Sequence, residues 1–431
     1  MNVCVVGLGY VGLPTAALAA NAGHTVVGYD SSAALRESLR AARLDGCEAD
    51  VANLVEQVVR DGRLSISDTV EAADAYVVCV PTPMAGDRPD MRHVESALAQ
   101  VAAVVRSGDL IVLESTVPPG TTERVVRQAL RAAGKGFANV GIAHAPERIL
   151  PGDIMRELYV NDRIVGGRTP EDANAAHDLY ASFVGGRIHR TDLRTAEFVK
   201  VVENTYRDVN IAFANELALF CEELDIDVWQ AIALANNHPR VNILRPGPGV
   251  GGHCIPIDPR FLADQNPFAT ELIQASRRVN ERMPNLIARR VVSLIGEGDG
   301  DRKVAILGAS YKANVSDVRE SPARRIRELL DERGYRTAVY DPVAHLPGAA
   351  ETLEEAAAGA DAILLAVDHD AFRSVDPQAL APLVRSRVLV DCHNFFPEAP
   401  WSAAGFAVYA LGRGAYVAAP SAGRQRERTP A

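Results

Sequence analysis

A glycine-rich turn near the start of the chain limits the possible folds more than any other feature. The apolar segment Asn2–Val6 runs into Gly7-Leu8-Gly9-Tyr10-Val11-Gly12, followed by an alanine-rich helical stretch and a second apolar segment, Thr25–Tyr29. In such a strand–turn–helix the first glycine makes the turn, the second admits a pyrophosphate, and the third lets helix and strand pack. Asp30, placed to accept from ribose hydroxyls, would repel a 2′-phosphate. The sequence therefore predicts a Rossmann-type site for NAD rather than NADP, formed by Gly7, Gly9, Tyr10, Val11, Gly12 and Asp30.

Strand-like and helix-like segments alternate along most of the chain, before and after a glycine-rich linker at residues 296–301. Beyond the two strands above, the predicted strands are Ala75–Val80, Leu110–Glu114, Lys303–Leu307, Thr337–Tyr340, Ala362–Val367 and Val388–Val390. Strands that alternate with helices are typical of parallel sheets. The pattern predicts an α/β protein with two Rossmann-like doubly wound domains joined by a long central helical region.

One helix is predicted to dominate the central region. Apolar residues recur with helical spacing over Thr195–Glu223, and we expect this face, including Phe198, Val201, Tyr206 and Phe213, to form a core between domains. The predicted domains are residues 1–190, which bind NAD, residues 191–298, a connector that carries the cysteine loop and a dimer interface, and residues 299–412, a C-terminal α/β domain. The polar residues 413–431 are predicted to be a disordered tail.

Charge and composition exclude several classes of protein. The 431-residue chain has a formal net charge of −10, which disfavours nonspecific nucleic-acid binding. No apolar segment approaches the roughly 20 residues that span a bilayer, and no basic leader follows Met1, so neither a membrane partner nor a secretory signal is expected. The six cysteines are scattered without disulfide or metal-ligand spacing, which indicates a cytoplasmic protein without a metal site.

A second glycine-rich segment presents a cysteine. Cys254 follows Gly247-Pro248-Gly249-Val250-Gly251-Gly252-His253 and precedes Asp258 by four residues. Glycines let the backbone fold closely around a bound molecule, whereas a cysteine that only packs in a core needs no such loop. Because the chain also carries a nicotinamide-cofactor fingerprint, Cys254 indicates oxidation through a covalent thioester.

Lys200 and Asn204 form a second candidate pair on the predicted central helix. Their spacing of four residues places them on one helical face, and Phe198, Val201 and Val202 are expected to make their surroundings apolar. An ammonium beside an amide can hold a substrate oxygen and stabilise developing negative charge. Similar lysine–asparagine pairs occur in several families of NAD-dependent alcohol dehydrogenases.

Five motifs, in order, carry a resemblance to a known family. They are residues 6–14, residues 114–121, Lys200 with Asn204, the Cys254 loop, and residues 317–321. Over about residues 1–400 the chain resembles the UDP-glucose/GDP-mannose dehydrogenase family. Within this family the chain more closely resembles the branch that acts on UDP-N-acetylhexosamines, through residues 146–152, 161–167, 207–216 and 238–244.

The resemblance implies a four-electron oxidation of a sugar C6 alcohol to a carboxylate, with two NAD used in succession. Cys254 would carry a thiohemiacetal and then a thioester, while Lys200 and Asn204 would stabilise oxyanions. Asp258, with Thr116 and Glu147, would orient or deprotonate the hydrolytic water. The best substrate on this resemblance is UDP-N-acetyl-D-mannosamine.

The resemblance also implies binding residues and assembly. Its further cofactor contacts are Thr82, Ser115, Thr116 and Arg319. Its substrate contacts are Glu147, Arg148, Lys200, Asn204, Arg240, Asn242, Gly251, Tyr311 and Lys312. The C-terminal domain would bind the UDP part of the sugar, Arg240 would reach in from a neighbouring subunit, and the chain would form a homodimer or a dimer of dimers.

Two departures and three alternatives accompany this prediction. Ile257 stands where UDP-glucose dehydrogenases have lysine, and Pro151 where they have a second glutamate. Both departures favour the N-acetylhexosamine branch, although UDP-glucose and UDP-N-acetylglucosamine stay open as substrates. A β-hydroxyacid-type dehydrogenase would use Lys200 and Asn204 for one hydride transfer, and a catalytically silent protein would bind NAD and UDP-sugar without reduction.

Overall fold

The apolar segments predicted as strands form two separate main sheets. The computed structural model describes residues 1–44, 47–86, 88–149, 152–298 and 300–414. These residues divide into two units, one of residues 1–204 with 260–269, the other of residues 205–259 with those from 270 onward. The three domain boundaries expected from the sequence remain a prediction.

The first unit contains an eight-stranded sheet in the order β10-β9-β8-β7-β4-β1-β2-β3. Its strands are β1 (Asn2–Val6), β2 (Thr25–Tyr29), β3 (Leu64–Ile66), β4 (Ala75–Val78), β7 (Leu110–Leu113), β8 (Gly141–His144), β9 (Arg163–Gly167) and β10 (Ile188–Asp192). A small antiparallel hairpin joins β5 (Met84–Ala85) to β6 (Arg88–Pro89). Central strands such as β4 and β7 are buried throughout, as expected where helices cover both faces of a parallel sheet.

The predicted parallel pairing is confirmed except at one position. β9 runs antiparallel to β8, with His144 opposite Gly166. The connection between them contains only the seven-residue helix α6. As a result Arg163, the first residue of β9, lies beyond the carboxyl end of β8.

The helices of the first unit follow its strands. They are α1 (Gly12–Asn21), α2 (Ala33–Arg40), α3 (Ala49–Arg60), α4 (Arg92–Val104), α5 (Thr121–Ala132), α6 (Ile154–Val160) and α7 (Pro170–Ala181). Ser32 caps α2 by accepting from the Leu35 amide at 3.2 Å, and Pro170 at the first position of α7 needs no helical partner for its nitrogen.

The long central helix is confirmed as α8 (Leu193–Glu223), but the expected burial of its apolar face is wrong in part. Val201 is buried, whereas Phe198, Tyr206 and Phe213 are each about half exposed, at 47%, 56% and 49%. The buried face carries small apolar residues and also polar side chains, namely Glu197, Lys200, Asn204, Thr205, Asp208 and Asn215. The helix therefore turns these polar groups inward and its aromatic rings outward.

The second unit contains a parallel sheet in the order β12-β11-β13-β14-β15. Its strands are β11 (Lys303–Leu307), β12 (Arg336–Tyr340), β13 (Ala362–Leu365), β14 (Val388–Asp391) and β15 (Ala407–Ala410), and its other elements are α9 (Val228–Ala235), α11 (Glu271–Ile295), α12 (Pro322–Asp331), α13 (Leu353–Ala357), α14 (Pro377–Leu380) and α15 (Glu398–Ala403). A further helix, α10 (Asp258–Gln265), starts in this unit and ends in the first. The α/β class with two Rossmann-like units is confirmed.

The chain end departs from the expected tail at its first residue. The Arg413 guanidinium lies 2.9 Å from Asp227 and 3.1 Å from Glu398, so this residue packs on the second unit. Residues 415–431 lie outside the described residues. None of the helices in the described part of the chain is long and apolar enough to cross a membrane.

Candidate active site

The glycine turn after β1 shows why each glycine is needed. Gly7 has φ +92°, and a Cβ there would lie 2.3 Å from the Cys79 carbonyl oxygen; a Cβ on Gly12 would lie 1.9 Å from that of Gly7. At Gly9, by contrast, no described atom lies within 4 Å of such a Cβ. The fold itself requires glycine at positions 7 and 12, and the open space at Gly9 fits the approach of a pyrophosphate to the backbone.

Asp30 lies beside this turn at the end of β2. Its carboxylate accepts hydrogen bonds from the Leu8 amide at 2.9 Å and from the Ser32 amide at 2.8 Å. The side chain is partly exposed, so lone pairs stay accessible. This is the position from which a carboxylate accepts from ribose hydroxyls in dinucleotide-binding turns.

Three more predicted cofactor contacts meet at the carboxyl ends of the adjacent strands β4 and β7. Thr82 donates to the Thr116 carbonyl at 2.8 Å, and the Ser115 hydroxyl accepts from the Val80 amide at 2.9 Å. Tyr10 is half exposed and its hydroxyl lies 3.2 Å from Glu48. The structure thus groups these side chains on the edge of the sheet where α/β proteins bind ligands.

Glu147 belongs to a buried charged cluster that sequence reasoning did not foresee. Its Oε2 lies 2.8 Å from the Arg163 guanidinium, which also pairs with the fully buried Glu114. The Cys79 thiol donates to Glu114 at 2.7 Å. Burial raises the pKa of Glu147 to about 7, against the lowering effect of the Arg148 amide and the Lys200 ammonium. Glu147 can therefore exchange a proton near neutral pH.

Arg148 is held by two partners in this unit. Its guanidinium lies 2.5 Å from Glu203 on α8 and also donates to the Asp162 carbonyl. A bound anion would have to compete with Glu203 for this cation. Arg148, a predicted substrate contact, is thus tied to α8 through Glu203, the residue before Asn204.

The polar face of α8 carries the predicted lysine–asparagine pair. Lys200 and Asn204 are 8% and 2% exposed. One turn earlier Glu197, fully buried, accepts from the amides of Gly120 and Thr122 at the start of α5, which fixes α8 against that helix. The prediction that Phe198 helps to make the surroundings of Lys200 apolar is wrong, because Phe198 is about half exposed. The carboxylate three residues before Lys200 was the signal that sequence reasoning missed.

In the second unit, Cys254 and Asp258 are joined by a tight turn. The amides of Ile257 and Asp258 both donate to the Cys254 carbonyl, at 3.1 and 2.9 Å. Cys254 is exposed, whereas Asp258, the first residue of α10, is only 3% exposed. The loop therefore presents the thiol and holds the carboxylate inside.

A relay of buried amide side chains anchors the start of this loop, and the sequence analysis did not predict it. The Gly247 amide donates to Asn215 at 2.9 Å, Asn215 donates to Asn280 at 2.9 Å, and Asn280 donates to Asp208 at 2.8 Å. Arg277 completes it with an ion pair to Asp208 at 2.5 Å. The relay ties the cysteine loop to α8 and α11.

The middle of the loop packs on the segment that follows β11. A Cβ on Gly251 would lie 2.5 Å from the Glu320 carbonyl oxygen, and Gly252, at φ +85°, would place one 2.9 Å from the Tyr311 ring. Close backbone approach, predicted from the glycines, is thus made by the chain itself. Tyr311 and Gly251 are brought together, and the side chain of Lys312 is exposed nearby in sequence.

The remaining predicted residues of this unit are exposed arginines and an asparagine. Arg319 makes a two-pronged ion pair with Asp317, at 2.9 and 2.7 Å. Although burial opposes it, the guanidinium lowers the pKa of Asp317. Arg240 and Asn242 are exposed, on a segment held by Asn210, which donates to the Asn242 carbonyl at 3.2 Å. The candidate residues are therefore divided between the two units.

Comparisons with known proteins identify the family of the chain. Three models of the UDP-glucose/GDP-mannose dehydrogenase family match the chain: its NAD binding domain at residues 1–184, its central domain at 194–282 and its UDP binding domain at 305–398. A UDP-N-acetyl-D-mannosamine dehydrogenase of Methanococcus maripaludis is 41% identical over 96% of this chain and 98% of its own. An NDP-N-acetyl-D-galactosaminuronic acid dehydrogenase of Ralstonia solanacearum is also 41% identical, over 93% and 96%.

The fold comparison gives the same result. The solved structure of UDP-D-ManNAc dehydrogenase from Pyrococcus horikoshii superposes with a TM-score of 0.90 at 39% identity, over 96% of this chain and 100% of that one. Its similarity spans both units, each of which contains candidate residues. With an NAD turn, a cysteine loop and matches along nearly its whole length, this chain belongs to the UDP-glucose/GDP-mannose dehydrogenase family, whose members are NAD-dependent oxidoreductases that act on nucleotide sugars.

Proposed function

We propose that this chain oxidises the C6 alcohol of UDP-N-acetyl-D-mannosamine to the carboxylate in the cytoplasm. The observation that carries the proposal is similarity over 96% of the chain to enzymes of that name, together with an exposed Cys254 on a glycine-rich loop. When bound, NAD accepts one hydride in each of two oxidations. The remaining steps fall to side chains of this chain.

The thiol of Cys254 carries the substrate between the two oxidations. After the first hydride leaves C6, the thiolate adds to the resulting aldehyde and forms a C–S bond. Loss of the second hydride from this thiohemiacetal gives a thioester, and water cleaves the C–S bond to release the acid and the thiol. A covalent intermediate keeps the reactive aldehyde on the enzyme.

Buried polar groups supply charge stabilisation and proton transfer. The Lys200 ammonium and the Asn204 amide, on the inward face of α8, bind the oxyanion that develops at C6. Asp258 and Glu147, with Thr116, orient the hydrolytic water and take its proton. The pKa of about 7 for Glu147 suits a group that gives and takes a proton near neutral pH.

The second unit supplies the contacts to the nucleotide. Tyr311 and Lys312, in the loop after β11, and Arg240 and Asn242, in residues 238–244, bind the UDP part and the sugar. Arg319 pairs with Asp317 and binds on the cofactor side. These exposed cations attract a diphosphate, which the net negative charge of the chain would otherwise repel.

The test is the number of NADH formed per nucleotide sugar by purified protein. UDP-N-acetylmannosamine should yield two NADH, and Cys254→Ser should abolish complete oxidation while binding NAD normally. Two NADH chiefly from UDP-glucose or UDP-N-acetylglucosamine would keep the mechanism and overturn the substrate. One NADH from every sugar would indicate single-hydride chemistry, and none would indicate a silent binding protein.

A galacto-configured UDP-N-acetylhexosamine is a second candidate substrate. The Ralstonia enzyme named for N-acetyl-D-galactosaminuronic acid is as similar to this chain as the Methanococcus enzyme, at 41% identity. Both sugars carry the C6 alcohol on a UDP-linked pyranose ring, and they differ in configuration at C2, which bears the N-acetyl group, and at the C4 hydroxyl. The ratio of kcat/KM for the two sugars decides between them.

We also propose that two copies of the chain pair through the outward face of α8. Tyr206, Phe213 and Phe220, spaced by seven residues, are 56%, 49% and 59% exposed. Such a stripe of aromatic rings along one helix suits a symmetric partner, since each ring can cover its counterpart. Light scattering should give the mass of a dimer or a dimer of dimers, and Phe213→Glu should give monomers.

A further inference from the structure

A serine, a histidine and an aspartate lie together in the second unit, outside the groups described above. His369 and Asp341 are both buried, and their side chains are 3.0 Å apart. The Ser310 hydroxyl lies 3.1 Å from the same imidazole nitrogen, Nε2. The combination has the composition of a hydrolytic triad.

The hydrogen bonds show that this cluster is not a nucleophile with its base. The Asn314 amide donates to His369 Nδ1 at 3.0 Å, so Nδ1 carries no proton and Nε2 carries it. Nε2 therefore donates to Asp341 and Ser310 and cannot take a proton from the serine. The Ser310 hydroxyl in turn donates to the Lys312 carbonyl at 2.8 Å, and Ser310 is fully buried.

Apart from the His369–Asp341 bond and the bonds from the Val343 and Ala344 amides to Asp341, the bonds of the cluster end on the loop after β11. Asp341 accepts from the amides of Ala309 and Ser310, at 2.7 and 3.1 Å. His369 fixes the Asn314 amide, and Ser310 fixes the Lys312 carbonyl. Residues 309–314 are thus held at both ends and in the middle by side chains from two neighbouring strand ends.

The held segment contains two proposed substrate contacts. Tyr311 and Lys312 lie between the anchored residues 310 and 314, and the Tyr311 ring packs on Gly252 of the cysteine loop. Asn314 adopts φ +62°, a backbone conformation that non-glycine residues adopt only at a cost. The Asn314 side chain stabilises it by donating to the Asp370 carboxylate at 2.7 Å and accepting from the Asp370 backbone amide at 3.0 Å.

We propose that His369 is a positioning residue for the nucleotide sugar. Its neutral imidazole accepts from one side of the loop and donates to the other, and so holds Tyr311 and Lys312 where they meet the UDP part. This inference rests on the proposed function of those two residues. His369 itself touches neither the cofactor nor the reacting carbon.

Three substitutions of His369 separate the roles of its two ring nitrogens. His369→Phe keeps a ring against Phe372, which His369 meets edge-on at 5.7 Å between centroids, and loses the hydrogen bonds of both nitrogens. His369→Asn can keep the acceptor for the Asn314 amide, and His369→Gln can keep the donor to Asp341. His345→Ala, an exposed histidine of the same unit, is the control.

The readouts are UDP affinity by calorimetry, NAD affinity, the KM for nucleotide sugar and the thermal midpoint. We expect His369→Phe to weaken UDP binding and raise the KM at least tenfold with NAD affinity unchanged. His369→Asn should recover more of the UDP affinity than His369→Gln, because it restores the bond to the loop backbone. Ser310→Ala, a smaller change that keeps the fold if the ring variants do not, should weaken UDP binding about threefold.

Unchanged UDP affinity in His369→Phe or Ser310→Ala would overturn the proposal. Equal losses of UDP and NAD affinity would also overturn it, since they would indicate general unfolding. Direct UDP binding keeps this test apart from the proposed function. If no sugar is oxidised by the unaltered enzyme, that function fails, while the ratio of UDP affinities still judges His369.

Discussion

The two units begin with the same backbone design and use it differently. After β1, Gly7 at φ +92° donates to the Tyr29 carbonyl at 2.8 Å; after β11, Gly308 at φ +89° donates to the Tyr340 carbonyl at 2.8 Å. An aspartate follows the second strand in each case, Asp30 or Asp341. Each accepts from the amide just after the glycine, at 2.9 or 2.7 Å.

The difference lies in what fills the space beyond the turn. In the first unit α1 starts at Gly12, five residues after Gly7, and Gly9 faces open space. In the second unit α12 starts only at Pro322, and the chain between is a loop held by His369 and a buried Asp341. One turn keeps room for a ligand phosphate, whereas the other uses the same geometry to anchor a loop that carries the proposed substrate contacts Tyr311 and Lys312.

The largest expected effect separates glycines needed by the fold from the one needed by a ligand. Gly12→Ala places a Cβ against the Gly7 carbonyl and should destabilise the protein by about 3 kcal/mol and abolish NAD binding, because backbone must move. Gly9→Ala should leave the thermal midpoint unchanged and still weaken NAD at least tenfold. Equal loss of stability in both variants would break the comparison.

The next effect compares the two aspartates. Asp341 accepts five hydrogen bonds from four backbone amides and His369, so Asp341→Asn should cost about 3 kcal/mol of unfolding free energy. Asp30→Asn, at a partly exposed site, should cost less than about 1 kcal/mol and mainly raise the KM for NAD. Urea denaturation of both variants, with NAD kinetics, measures this.

Lowering the pH should reveal the contribution of Asp341 to the stability of the protein. Burial alone would raise the pKa of Asp341, but hydrogen bonds from His369 and the backbone hold it well below its ordinary value. A carboxyl whose pKa is lower in the folded than in the unfolded protein stabilises the fold at pH values above its unfolded pKa. This stabilisation is lost as the pH falls towards the folded pKa. The protein should therefore lose stability below about pH 4, and Asp341→Asn should flatten that loss.

The smallest effect concerns Glu147, whose pKa burial raises to about 7. Because the folded value exceeds the unfolded one, its contribution to stability is present below about pH 4.5 and is lost as the pH rises to 7. Glu147→Gln should remove this slope and the limb of the kcat profile near pH 7. Thermal midpoints and kcat from pH 5 to 8.5 provide the measurement, and a limb that persists in Glu147→Gln would assign it to another group.

Local patterns in the sequence were enough for eight strands of the two main sheets and for the long central helix, whereas β3, β8, β9, β10 and β15 were not predicted. Glycine spacing, the apolar strand before it and Asp30 after it predicted the first turn, since each depends on neighbours in the chain. The length of α8 followed from helical periodicity. The reversed strand β9, which carries Arg163 to Glu147, did not, because strand direction depends on pairing between distant segments.

The sequence by itself determined an α/β chain with an NAD turn, a cysteine on a glycine loop and a long central helix. Only the tertiary structure decided which face of α8 is buried, so that Lys200 and Asn204 point inward and Tyr206 and Phe213 outward. It also decided which side chains contact three of the residues discussed above. Arg163 pairs with Glu147, Asn215 accepts from the Gly247 amide, and His369 accepts from the Asn314 amide. The burial and the pKa of a side chain depend on contacts with residues that lie tens or hundreds of positions away in the chain, and the spacing of neighbouring residues does not predict those contacts.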